Sequence, residues 1–320
     1  MMRLPFFLFG LMFACGAAQA GELDEAFKAL LKERLGGKNS EQALATPPQQ
    51  PSQPVPPTAP TQPAAPAQPA AQPAQKPQGQ LLQALLAGKT SQAEEVRIGQ
   101  QIAGNLLGTA PLVRDEALQR YVNRVGRWVS LQSERPGLPW RFGVIESEDI
   151  NAFAAPGGYI FLTKGLYRQL DNEAQLAGVL AHEIGHVIRK HHLKLLQKTQ
   201  LVAGLGALFG GKVGNENQLV QNLIGNGAEI VARGLDKDAE YEADRIGVVL
   251  TARAGYDAYA LPAVLAEIGH VAKGDKRVSL LFKTHPHPEE RLGRLAESVG
   301  SHLDGVPEGQ SLANRFHRLR

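Results

Sequence analysis

Cysteine is nearly missing from this chain. Cys15 is the only one in 320 residues. A chain so poor in thiols carries no disulfide framework. An excess of one charge is also missing: 34 Lys and Arg stand against 31 Asp and Glu, with a pI near 8.9. No basic run with interleaved aromatics occurs, so nothing points to nucleic acid as a partner. Beyond the N-terminus, no apolar run is long enough for a transmembrane helix. What remains is a 43% hydrophobic chain able to build a core in one or two domains.

The first 20 residues read as an export signal. Met1-Met2-Arg3 gives a positive start, residues 4–18 an apolar run, and Ala18-Gln19-Ala20 a cleavage site before Gly21. Cleavage there gives a periplasmic protein whose mature chain has no cysteine. Met12-Phe13-Ala14-Cys15 loosely resembles a lipoprotein box, although Met and Phe fit it poorly. The alternative is therefore a lipid anchor through Cys15. Residues 21–45 hold a short amphipathic helix with Leu23, Phe27, Leu30, Leu31 and Leu35 on its apolar positions. Residues 46–80 are rich in Pro, Gln and Ala and have little to bury, which predicts a disordered, semi-stiff linker.

The folded domain is expected over 81–300, followed by a C-terminal tail over 301–320. Helical patterns cover 81–107 and 115–131, the latter with Leu118, Tyr121, Val122, Val125, Trp128 and Val129 as its apolar set. Short β-like stretches cover 140–145, 151–155 and 159–162, with Pro156-Gly157-Gly158 as a turn. This predicts an α+β, mainly helical fold with a small antiparallel sheet. Residues 201–234 are rich in Gly, Ala, Leu and Asn. They read either as a lid beside a cleft or as a plain loop followed by a helix.

The centre of the pattern is His182-Glu183-Ile184-Gly185-His186. Residues four apart share a helix face, so His182 and His186 can direct two imidazoles at one metal ion. Glu183 stands beside them, where it can reach a water on that metal and act as general base. Asn172 with Gln175 predicts a reciprocal cap at the helix start. Leu176, Val179, Leu180, Ile184, Val187 and Ile188 form the expected buried side. His191 and His192 are rotated off the His182–His186 line and read as surface residues at the helix end.

A catalytic zinc takes three protein ligands and leaves one position open. Glu240 and Asp244, four apart in a second helical segment, share a face. One carboxylate can bind the metal while the other orients a ligand histidine.

Four motifs occur in order: Asn151-Ala152-Phe153-Ala154-Ala155-Pro156-Gly157-Gly158-Tyr159, His182 to His186, Glu240-Tyr241-Glu242-Ala243-Asp244, and Thr284-His285-Pro286-His287-Pro288-Glu289-Glu290-Arg291. Together they resemble the HtpX-like metallopeptidases, a gluzincin family that includes the CAAX prenyl proteases and the periplasmic BepA-type enzymes. The resemblance implies a gluzincin-type protease domain with its small sheet beside the HExxH helix. It implies one zinc per chain on His182, His186 and Glu240, with Glu183 as base and Asp244 in support. Asn151, Ala152, Phe153 and Ala154 would form an edge that pairs with substrate backbone, and Pro156, Gly157 and Gly158 the adjoining turn. His285 could take the fourth metal position and hold the enzyme latent. Arg291 could anchor a carboxylate, stabilise an oxyanion or form a structural salt bridge. His287 reads as a spectator. The chain shows no helical repeat array after this region, unlike BepA-type relatives.

The function implied is a zinc endopeptidase of the bacterial envelope acting on unfolded or misfolded envelope proteins. The outer-membrane assembly machinery is a possible partner, and peripheral membrane association is possible. The alternative is a chaperone-like binding protein with a latent or structural zinc site; a third reading is an envelope structural protein.

Overall fold

The computed structural model describes residues 90–198, 235–271, 275–303 and 306–319. The expected export signal, amphipathic helix, linker and lid lie outside these residues. Helix α1 (Gln92–Thr109) opens on a capping box, in which Ser91 Oγ accepts from the Glu94 N–H and the Glu94 carboxylate accepts from the Ser91 N–H. Helix α2 (Glu116–Ser130) is capped by Asp115, whose Oδ1 accepts from the Leu118 N–H at 2.9 Å. Leu118, Tyr121, Val122, Val125 and Val129 follow the 3.6-residue period and are buried. Trp128, expected among that apolar set, is instead 49% exposed.

Three strands follow: β1 (Arg141–Ile145), β2 (Ala152–Ala155) and β3 (Tyr159–Thr163), in the order β1-β3-β2. β2 pairs antiparallel with β3, from Ala152↔Leu162 to Ala155↔Tyr159. β1 runs parallel to β3, from Arg141↔Tyr159 to Ile145↔Thr163. The sheet is therefore mixed, and the expectation of a purely antiparallel sheet is corrected. The cause is the connection: the chain leaves β1, crosses to the far side to make β2, and returns through a tight turn into β3. Parallel neighbours require such a crossover. That turn needs glycine, with φ of 76° at Gly157 and 103° at Gly158.

Next come α3 (Lys164–Tyr167), α4 (Glu173–Ile188), a helical stretch over 191–198, and α5 (Lys237–Arg253). Then follow α6 (Ala260–Gly269), α7 (Leu281–Thr284) and α8 (Pro288–Leu303). The cap of α4 departs by one residue from the expected box. Asn172 accepts from the Gln175 N–H as expected, but Gln175 Oε1 accepts from Asp171 N–H. Every residue of α4 is buried, not one side only. It runs through the middle, against β2, α2, α5 and α6.

Helices α4 and α5 cross closely because small residues meet. A Cβ on Gly185 would lie 3.2 Å from the Ala243 backbone, and one on Gly247 3.2 Å from the His182 backbone. The expected C-terminal tail is part of the body. Ser311 carbonyl accepts from the Ala174 N–H at 3.1 Å, and Phe316 stacks on Tyr167 at 5.1 Å.

Candidate metal centre

The close α4–α5 crossing sets Glu240 and Asp244 beside the two histidines. His182 Nδ1 lies 2.9 Å from Asp244 Oδ1. An N–H donated there leaves His182 Nε2 unprotonated and facing inward. His186 presents its Nε2 to the same point, 3.1 Å from that of His182. Glu240 places Oε1 3.5 Å from His186 Nε2 and Oε2 3.7 Å from His182 Nε2. His285, which ends α7, brings Nδ1 to 2.6 Å from Glu240 Oε2. Donor atoms of these four residues all lie within 4.8 Å of one another.

Zinc bonds of about 2.0–2.2 Å in a tetrahedron imply donor separations of roughly 3.3–3.6 Å. The His182, His186 and Glu240 spacings of 3.1, 3.5 and 3.7 Å straddle that range, each within about 0.2 Å of it. A second observation agrees: Glu240 Oε1 is buried without a hydrogen-bond partner. Buried carboxylate oxygens are rarely left so, and a cation could satisfy this one.

The electrostatics favour cation binding. Burial pushes the Glu183 carboxyl up, against the pull of His182. Burial would also raise Glu240, but His285 outweighs it and holds the carboxyl below its ordinary value. Burial, reinforced by neighbouring histidines, holds His186 neutral, and burial lowers His192 to about 3. Neutral imidazole is the metal-binding form.

Arg291 forms a buried salt bridge with Asp244, the structural one among its three readings. Its Nε and NH2 fork Asp244 at 2.9 and 2.6 Å. His287 lies against Phe282, away from the donors.

His191 and His192 correct an expectation. Both are buried, at 6% and 7% exposure, rather than on the surface. The helix that carried the rotation argument ends at Ile188, and Lys190 takes a left-handed φ of 57°. The chain changes direction there, and Leu193 and Leu196 of the stretch over 191–198 pack with α1 and the strands while its first two histidines meet His186. His191 Nδ1 then meets His186 Nδ1 at 2.9 Å, and His191 Nε2 meets Glu242 Oε2 at 3.2 Å. If His191 Nε2–H donates to Glu242, its Nδ1 accepts from His186, which leaves His186 Nε2 for the centre. Leu193 and Leu196, both buried, were the available signal, because they give 191–198 an apolar face of its own.

A cavity of about 10 Å³ adjoins the donors, lined in part by Asn151, Ala152, Phe153 and Ala154, with Glu183 and His285. That is room for about one water at most. β2 has no strand on its outer side among the described residues. Asn151 Oδ1 accepts from the Ala152 N–H, while its Nδ2 is buried without a partner. Pro156 to Gly158 sit apart from the donors, clamped under α1: Glu95 accepts from the Gly157 N–H and from a bidentate Arg135.

Comparison with known proteins agrees with this arrangement. Residues 115–299, more than half the chain, match peptidase family M48. The chain belongs to peptidase family M48. It is 34% identical over 216 residues to the Beta-barrel assembly-enhancing protease of Escherichia coli (strain K12), covering 64% of this chain and 44% of that protein. It is 31% identical over 178 residues to the Mitochondrial metalloendopeptidase OMA1 of Schizosaccharomyces pombe, covering 55% and 52%. Against the Metalloprotease YcaL of Escherichia coli (strain K12) it is 26% identical over 166 residues, covering 52% and 64%. The match thus spans less than half the length of the first of these relatives. Membership in a peptidase family fits a histidine–glutamate group that could hold a metal ion.

Proposed function

We propose that this M48 chain is a zinc endopeptidase of the bacterial cell envelope that hydrolyses unfolded or misassembled proteins. The observation that carries the reading is the unpartnered Glu240 Oε1 among converging histidine donors, with Glu183 one residue from His182. His182, His186 and Glu240 would hold the metal, and Asp244 and His191 would orient the two imidazoles. Bound zinc would polarise the scissile carbonyl and lower the pKa of the attacking water. Glu183, made more basic by burial, takes the water's proton and passes it to the leaving amine. An extended substrate adds beside β2, and Asn151 Nδ2 offers a donor to a substrate carbonyl. Such backbone reading suits unfolded chains. The envelope address rests on the export-like N-terminus and on the relative named for β-barrel assembly.

The chain should bind one zinc and cleave unfolded casein. A chelator should stop cleavage, and stoichiometric zinc should restore it. His191→Ala should weaken zinc binding by about 10–100-fold, read by chelator competition, since it removes the partner that orients His186. Unchanged affinity would show that His186 needs no such support.

The small size of the cavity favours a second reading, a binding protein whose metal site is latent. His285→Ala separates the two. Removing the fourth donor should raise casein hydrolysis severalfold in the peptidase reading. Zinc retained without any cleavage, in wild type and in His285→Ala alike, would favour the binding protein.

A further inference from the structure

The outer face of α2 combines cations with exposed apolar groups. Arg120, Arg124 and Arg127 are exposed on it, and Trp128 and Leu131 are 49% and 51% exposed. Arg120 pairs with Glu116, but Arg124 and Arg127 have no ion-pair partner among the described residues. The indole N–H of Trp128 donates to the Ala254 carbonyl at 2.8 Å. That bond fixes the polar edge of the ring and leaves its apolar surface outward. Beside it runs a groove of about 650 Å³, with Arg124, Trp128, Leu312 and Arg315 on its walls. A second groove of about 940 Å³ shares Arg124 and Arg315 and continues to Arg114, Arg168 and Arg318. Six basic side chains line this second groove. Lys164 and Arg168 pair with Glu146 and Glu148, and Arg315 with Glu173. Arg114, Arg124 and Arg318 have no ion-pair partner among the described residues, so uncompensated positive charge runs from α2 toward the C-terminal segment.

We propose that this face docks on an anionic phospholipid bilayer. Trp128 and Leu131 enter the interface, while Arg124 and Arg127 meet lipid phosphates. Charge complementarity supplies the attraction, and the half-exposed Trp and Leu between arginines are what an interfacial surface needs. A nucleic acid would also meet the arginines. An export-like N-terminus, however, directs the chain to where lipid phosphates are the abundant polyanion. The geometry suits catalysis at a membrane. Helix α2 packs on β1, the sheet edge opposite β2, so a docked protein keeps its β2 edge free. The surface is independent of the metal centre, so either reading can fail alone.

The chain has two tryptophans, and Trp140 is fully buried, so a change in emission on binding reports Trp128. The full chain is titrated with vesicles of phosphatidylcholine alone and mixed with phosphatidylglycerol. With the anionic vesicles, emission should shift to the blue, brominated lipid should quench it, and salt should reverse both. Arg124→Glu/Arg127→Glu should weaken this binding by at least about tenfold while zinc content stays unchanged. Vesicle binding by other parts of the chain would leave Trp128 emission unshifted. The proposal is overturned by an unshifted Trp128, by equal binding to both vesicle types, by a double variant that binds like wild type, or by a duplex oligonucleotide binding in place of vesicles.

Discussion

Glu183→Gln should lower casein hydrolysis by about 1,000-fold and leave zinc content unchanged. Gln has nearly the volume of Glu, so the packing of α4 against β2 is preserved. It cannot take a proton from water. Glu183 is 3% exposed and is not one of the four converging donors, so metal binding does not depend on it. It faces the cavity that Ala152 to Ala154 line, where an added peptide strand would lie. Initial rates alongside metal analysis check both halves of the statement. A variant that cleaves at near the wild-type rate would remove Glu183 from the chemistry. One that loses zinc as well would make it a ligand rather than a base.

Arg291→Met is expected to cost about 3–5 kcal/mol of stability, the usual result of removing one partner of a buried ion pair. Arg291 and Asp244 are 4% and 1% exposed, and the fork between them is bidentate. Burial would raise the Asp244 carboxyl, but Arg291 and then His182 hold it well below the carboxylate range. A depressed carboxyl stabilises the fold fully above its unfolded pKa, and that contribution is lost progressively as pH falls from there through the folded value. Without Arg291 the carboxylate stands buried beside His182 and is pushed toward protonation, which weakens its hold on Nδ1. Urea unfolding of the metal-free protein measures the loss. Adding Asp244→Asn should restore part of it by removing the stranded charge. If Arg291→Met alone unfolds within about 1 kcal/mol of wild type, the ion pair does not carry this part of the core.

The centre was legible where it is local. The His182–His186 spacing and the Glu240–Asp244 spacing are periods of one helix each, and the structure brings both pairs together. Sheet composition was equally visible, because short β-like runs flank an obligatory glycine turn. Strand direction was not, since the route from β1 to β2 depends on which edge of β3 the chain reaches. His191 and His192 leave the period of α4 because that helix stops at Ile188. A lysine with left-handed φ is uncommon, and nothing local marks Lys190 for it. Trp128 was misplaced for another reason: apolar periodicity does not say where a stripe ends. The closeness of α4 and α5 depends on Gly185 and Gly247 facing a partner helix far away in sequence.

The anchoring of the four donors is unequal. His182 and His186 belong to a helix buried on all sides, and Glu240 to one locked against it by contacts too close for side chains. His285 hangs from the end of a four-residue helix. On the proposed reading, a peptide that takes the place of His285 would disturb one short turn of backbone, and the helices that carry the other three donors would stay packed.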